Sequence, residues 1–392
     1  MKGKKNYKIF MLLWITLALL ISESFCYSSP GPNFNKKIQR IIDKNRRKYH
    51  LIGVEVSISF PDENLPRDFV SGSATIDLTI PLTPNHLFQI GSETKSFIAA
   101  ILLQLEHEGY LLLDSPISNW IPGLMPDWEK ITIKQLLNHT SGIASYTETE
   151  EFWYLERESD FEKAWSTFDL INLVEEKPLD FYPGYGWHYS DTNYILAGMI
   201  ISAVTGKTVE EELKSRILEP LHLDNTHYFL TSPSSALLLQ MAHGYYEQNN
   251  NLPYDATYVN LSMANAAGAL VSSSHDTAIW LRKLLTTQDI LSIKQRKKMM
   301  TIVDYQGQPG SGAGSGLGIF LDYNQYGGEV WSHTGGMPGY LSSMLWLRSQ
   351  DVVITILVNS NNNEGSAQLW QDLINYINVL YKNDENSVQT LN

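Results

Sequence analysis

Strand-type alternation of apolar residues is confined to the two ends of this chain, and the long stretch between them carries helical periodicity. That separation restricts its possible folds more than any other feature. Near the N-terminus Val54, Val56, Ile58 and Phe60 alternate with polar residues, the pattern of a half-buried strand, and a second short strand is expected over 69–76. Near the C-terminus, 345–347 and 352–358 are β-rich runs joined around 349–351, as in a hairpin. Helical periodicity covers 34–49, where Ile38, Ile41, Ile42 and Tyr49 form one stripe, then 92–105 up to Gly109, 131–137, 195–204, 209–218 and 367–381. Strands at both ends with helices between predict a discontinuous α/β domain, 34–115 plus 260–382, an inserted all-helical domain, 116–259, and a tail, 383–392.

The N-terminus reads as an address. Lys2, Lys4, Lys5 and Lys8 precede the apolar run 9–21, interrupted by Thr16 alone, and the small residues Ser22 and Ser24 follow it, which predicts a signal peptide over 1–26 and a secreted or periplasmic protein. A membrane anchor is the rival reading, but the run is shorter than the roughly 20 residues of a spanning helix, so no stable membrane span is expected after processing. Cys26 invites a lipoprotein reading, against which Glu23 and Phe25 stand where small or aliphatic residues belong. This is the chain's one cysteine, so a disulfide framework, a thiolate metal cluster and, after processing, a cysteine nucleophile are all excluded. With 42 acidic against 29 basic side chains the net charge is −13, and about −16 without the lysine-rich leader, which leaves no footprint for nucleic acid. The ten histidines show no zinc-type spacing, and neither a metal nor a cofactor is expected.

Chemistry is concentrated in three short segments. In Ser92-Glu93-Thr94-Lys95, after Gly91, residues three apart at a helix start share a face, so the Lys95 amine can reach the Ser92 hydroxyl and act as its base if burial lowers its pKa. The same serine could simply cap the helix. Tyr189-Ser190-Asp191 precedes the 195–204 helix and reads either as a cap or as a site whose tyrosine, if its proton is lost or shared, serves the leaving group and water. His333-Thr334-Gly335-Gly336 follows the strand-like 329–332; its glycines suit either a hairpin turn or a strand edge where the Gly336 N–H joins that of Ser92 as an oxyanion donor.

Taken in order, these segments resemble the serine β-lactamase-like, penicillin-recognising superfamily, closest to the class C β-lactamases and the D-alanyl-D-alanine carboxypeptidases. The segments 88–97, 133–142 (Ile-Lys-Gln-Leu-Leu-Asn-His-Thr-Ser-Gly) and 267–273 (Ala-Gly-Ala-Leu-Val-Ser-Ser) extend the likeness across about 34–380. The resemblance implies a β-lactamase/transpeptidase-like fold, an antiparallel sheet flanked by helices with the inserted helical domain. It also implies acylation of Ser92, proton traffic through Lys95 and Tyr189, and a substrate-binding set of Asp191, His333, Thr334, Gly335 and Gly336. Two positions depart from the pattern. His333 stands where β-lactamases usually carry lysine, offering less assured positive charge for a substrate carboxylate. Asp191 stands where asparagine is commoner, and an ionised acid accepts from Lys95 while tending to keep it protonated. The expected activity is that of a secreted serine hydrolase on a small peptide, β-lactam or ester, foremost a D-alanyl-D-alanine carboxypeptidase. An esterase or weak β-lactamase using the same residues, and a non-catalytic peptidoglycan- or partner-binding relative, remain the alternatives. His139 is expected to be structural, whereas Trp187 and Tyr185 stand close enough to Tyr189 to line a pocket.

Overall fold

The two strand-rich ends of the chain meet in one sheet. In the computed structural model, which describes residues 30–246, 253–310, 312–323 and 328–389, strand β1 (Gly53–Ser59) pairs on one side with β2 (Arg67–Gly72) and on the other with the C-terminal β7 (Val352–Val358). Beyond β7 follow β6 (Tyr340–Leu347), β5 (Glu329–Met337), β4 (Phe320–Tyr323) and β3 (Gly314–Ser315), giving the antiparallel order β2-β1-β7-β6-β5-β4-β3. The predicted signal peptide, 1–26, lies outside the described residues.

Helices cover both faces of this sheet. The stripe Phe34, Ile38 and Ile42 of α1 (Pro32–Lys48) packs with Leu369, Leu373 and Ile377 on Val54, Val56, Ile58, Ile354 and Ile356. The latter three leucine and isoleucine residues belong to the C-terminal helix, Asn363–Gln389, so most of the expected tail is helical. A helix over Ser274–Thr286 covers the opposite face, and β1 is therefore buried on both sides where a half-buried strand is expected. Its polar face meets that helix: the Ser274 N–H donates to Glu55 Oε2 at 3.2 Å, Ser57 and Ser274 share a hydroxyl bond of 2.7 Å, and Arg282 donates to the Ser59 carbonyl at 2.6 Å, while Glu55 Oε1 is buried without a partner among the described residues. Alternation in a strand reports two chemically distinct faces, and water on the polar one is only the commoner solution.

Burial pushes the Glu55 carboxyl up to about 8, against the hydrogen bonds from Ser274. An acid raised in the folded state binds its proton more tightly there than in the unfolded chain, so the Glu55 contribution to stability is fully present below the unfolded value of 4.5 and is lost as pH rises from there through 8. The fall attributable to Glu55 is on the order of 4 kcal/mol. Denaturant melts at pH 5, 7 and 9 should show that slope flattened in Glu55→Gln; an unchanged slope would assign it to other groups.

The helical region packs against the same sheet through a second apolar core that runs without a break from Phe97 and Leu102 to Leu136, Ile195 and Ile200. Helix α2 (Thr94–His107) lies inside it beside α3 (Thr192–Thr205). The region 116–259 is not purely helical: two-residue strands occur at His227–Tyr228, Tyr245–Tyr246 and Tyr254–Asp255. Predicted helix 209–218 is α-helical over Val209–Leu213 and a π-helix over Lys214–Leu218.

Candidate active site

Glycine 335 and glycine 91 let two backbones touch. The 3₁₀ turn Gly91–Glu93 precedes α2, and β5 lies against it so closely that a Cβ at Gly335 would sit 1.9 Å from the Ile90 carbonyl oxygen and one at Gly91 2.8 Å from the Gly336 nitrogen. Gly91 also has φ of +51°, a conformation side chains resist. Ser342 of β6 ties the same turn down, donating to the Ile90 carbonyl at 2.8 Å. From the other side, Trp280 stacks on Phe97 at 3.9 Å and donates to Ser96 at 2.9 Å, fixing the first turn of α2. Ser92 thus sits ahead of the helix in a braced turn and is not its cap.

The 333–336 segment is strand. Its pairing with β6 continues to Met337↔Tyr340, around the two-residue loop Pro338-Gly339, whereas β4 pairs only as far as Ser332. Residues 333–337 therefore form a free strand edge. Because Met337↔Tyr340 closes the loop, antiparallel alternation turns the Gly336 N–H away from β6, toward the Ser92 turn.

Lys95 is fully buried, and its amine has three neighbours: Ser92 Oγ at 2.8 Å, Asp191 Oδ1 at 2.6 Å and the Ala267 carbonyl at 2.7 Å. Two of these can only accept. A neutral amine that donates to both has its lone pair left facing the Ser92 hydroxyl. Burial pulls the Lys95 ammonium below the ordinary lysine range; the Asp191 carboxylate opposes this through charge and hydrogen bond, and burial is the larger effect. Asp191 occupies the cap position of α3 but makes no cap bond, its second oxygen accepting from Thr147 Oγ1 at 2.7 Å instead.

The other two ionisable groups behave differently from expectation. Burial, reinforced by the Asp191 charge and opposed by a hydrogen bond with Ser92, holds the Tyr189 phenol well above its usual value, so it keeps its proton. Its ring lies 4.9 Å from Lys95 Nζ and stacks on His139 at 4.4 Å; the buried His139 accepts from the Ser190 N–H at 3.1 Å, so the residue expected to be structural also orients the tyrosine. Burial and the Lys95 charge push the His333 imidazole down to about 3. It is neutral, with the Nδ1 proton donated to the Thr334 carbonyl at 2.7 Å, leaving Nε2 a buried acceptor that no described protein group pairs with. At 2% exposure it supplies no positive charge, in the direction expected when histidine replaces lysine here.

Ser92 and Gly336 open onto two cavities, one of about 900 Å³ and one of about 170 Å³. The larger also meets Tyr189, His333, Thr334 and Gly335, and the smaller meets Asp191 and Thr147. Trp187 lines the larger cavity; Tyr185 is 80% exposed and lines neither. Four contributors have no signal in the sequence: Thr147, Asp322 and Tyr305 lie outside the recognised segments, and the Ala267 carbonyl is backbone within one of them.

A serine hydroxyl under a buried lysine, beside a free strand edge and between sheet and helices, defines a β-lactamase-fold serine hydrolase. The family model for Beta-lactamase matches residues 38–378, and the chain belongs to that family. Among similar proteins, Penicillin-binding protein 4* of Bacillus subtilis is 26% identical over 341 residues, 85% of this chain and 73% of that protein. Among similar structures, the D-amino acid amidase of Ochrobactrum anthropi SV3 has a TM-score of 0.77 at 29% identity, covering 90% of this chain and 99% of that one. A D-stereospecific amidohydrolase from Streptomyces sp. has a TM-score of 0.74 at 30% identity, covering 85% of this chain and 96% of that one.

Proposed function

We propose that this protein, exported behind its N-terminal leader, hydrolyses amides or esters of small D-configured substrates that carry no carboxylate at the leaving side, through an acyl-enzyme at Ser92. One observation carries the choice of substrate: no Lys or Arg side chain lines either cavity at Ser92 among the described residues, and His333 is neutral. A D-alanyl-D-alanine carboxypeptidase or an efficient β-lactamase must hold a substrate carboxylate, and burying that charge without a cation is costly. The D-configuration and the amide bond are carried over from the two amidohydrolases that the chain resembles.

In the proposed cycle the Ser92 proton passes to Lys95 as Oγ attacks the carbonyl carbon. The Ser92 and Gly336 N–H groups meet the oxyanion. Collapse breaks the bond to the leaving group, which takes a proton from the Tyr189 phenol, and Tyr189 recovers one from Lys95. Water then attacks the acyl carbon, giving its proton to Lys95; the acid departs, and Ser92 recovers the proton.

The test is a panel: D-phenylalanine amide, a short-chain p-nitrophenyl ester, a D-Ala-D-Ala peptide and a cephalosporin. Amide and ester should exceed the two carboxylate-bearing substrates in kcat/KM by about 100-fold, the scale of an unpaired buried charge. The reverse order would restore the carboxypeptidase reading. Amino-terminal sequencing of the secreted material should begin near residue 27; an intact Met1 on the cell-associated protein would overturn the export reading.

A further inference from the structure

The larger cavity carries a carboxylate that the proton traffic does not use. Asp322 lies on β4, two residues from Phe320, opposite Val330 of β5. It is half-buried and has no hydrogen bond or ion pair with any described residue; burial alone acts on it, raising its pKa. Around it the wall is aromatic: Trp187 and Tyr305 meet edge to face at 4.8 Å, and Phe320 reaches both Trp187, at 6.4 Å, and His333, at 5.0 Å. Burial raises the Tyr305 phenol, the Asp322 charge adds to it, and both side chains line the same cavity.

What this wall offers is acceptors. Asp322 presents two carboxylate oxygens, and His333, buried on the far side of Phe320, presents Nε2 as a lone pair with no protein partner. An anionic or purely apolar ligand would leave both unsatisfied, at a cost a buried acceptor makes large. A primary ammonium brings three donors and a charge that carboxylate and aromatic faces both attract.

We propose that Asp322, backed by Trp187 and Tyr305, is a cation subsite that takes the primary ammonium group of the substrate, so that the substrates are amides or esters bearing a free amine. The proposal rests on the reading of the site as a hydrolase of non-carboxylate substrates, and gives that reading its recognition element. Asp322 pairs opposite Val330, six residues and about 20 Å of strand from Gly336 at Ser92, so the amine it takes is a distal one on the substrate side chain, not the α-amine beside the scissile carbonyl.

Three p-nitroanilides are compared in wild type and Asp322→Asn: D-alanine, N-acetyl-D-alanine and N-acetyl-D-lysine, with p-nitrophenyl acetate as an ammonium-free substrate. Wild type should favour N-acetyl-D-lysine over N-acetyl-D-alanine by tenfold or more in kcat/KM, as expected for about one unscreened charge contact. A preference for D-alanine alone would place the recognised amine beside Ser92 and overturn the subsite. In Asp322→Asn that preference should collapse through KM, with kcat little changed, and Asp322→Glu should recover part of it. Equal kcat/KM for N-acetyl-D-lysine and N-acetyl-D-alanine in wild type, or an equal loss on all four in Asp322→Asn, would overturn the subsite. If wild type hydrolyses none of them, the hydrolase reading fails, and the subsite is judged by calorimetry of D-lysine amide and N-acetyl-D-lysine amide on Ser92→Ala. Tenfold weaker binding of either after adding Asp322→Asn supports the subsite, and unchanged binding overturns it.

Discussion

Replacing Lys95 by methionine should leave the chain folded and slow acylation of Ser92 by about 10⁴-fold, the span of a lost general base. The lysine side chain is fully buried beside the Tyr189 and Tyr194 rings, so a methionine of similar length fills its space. The carboxylate it leaves behind keeps its bond from Thr147 and is partly open to water. Labelling by a fluorophosphonate reports the step directly: wild type labels, Ser92→Ala does not, and Lys95→Met labels slowly. The pH profile then identifies the group. Burial lowers the Lys95 pKa and the active form is the free amine, so kcat/KM rises with pH through a limb below the ordinary lysine value of 10.5. Asp191 is what holds that limb up. In Asp191→Asn its charge is gone, Lys95 falls further, and the limb moves to lower pH. A limb that stays in place in Asp191→Asn, or a loss of less than tenfold in Lys95→Met, would put the base elsewhere.

How far such a site can be read in advance depends on which interactions are local. Ser92 and Lys95 stand one helical turn apart, and their contact of 2.8 Å follows from that spacing. Asp191 and Ala267 reach the same amine from 96 and 172 residues away, and no local pattern could give their partner. The identities at Tyr189 and His333 were legible through family resemblance, yet their protonation was not. Both are decided by burial, which the packing of α2, α3 and β5 creates. The same limit explains the strands. Val54, Val56 and Ile58 mark β1 by alternation, but whether Glu55 and Ser57 meet water depends on Ser274, more than 200 residues on. At 333–336 the glycines suit turn and strand alike; pairing with Ser342 and Leu341 decides for strand, and the turn falls at Pro338-Gly339. Asp322 carries no motif at all. Its interest comes from Trp187 and Tyr305, which the fold brings from two loops to the same cavity.

Two adjacent glycines separate the requirements of the fold from those of the reaction. Gly335→Ala should be severely damaging, because its Cβ would meet the Ile90 carbonyl oxygen at 1.9 Å and Ser342 Oγ at 2.4 Å. The first of these is backbone and cannot rotate away, so β5 must lift from the Ser92 turn. Lifting it moves the Gly336 N–H off the oxyanion position, and loss of one such donor costs about 10² to 10³ in kcat. The displaced strand also gives up packing, so a stability loss of about 2 to 3 kcal/mol is expected in denaturant melts. Gly336→Ala behaves differently, since its Cβ would have only Leu341 Cδ2 nearby, at 4.0 Å, and no strain from φ. Its melting curve should match wild type within about 0.5 kcal/mol. Yet Gly336 borders both cavities, so the added methyl projects where substrate must lie, and KM should rise while labelling of Ser92 by a small fluorophosphonate persists. If Gly335→Ala instead keeps wild-type stability and turnover, the contact between β5 and the Ile90 turn is not what holds the oxyanion donors in place. The strand edge would then owe its position to its pairing with β6 alone.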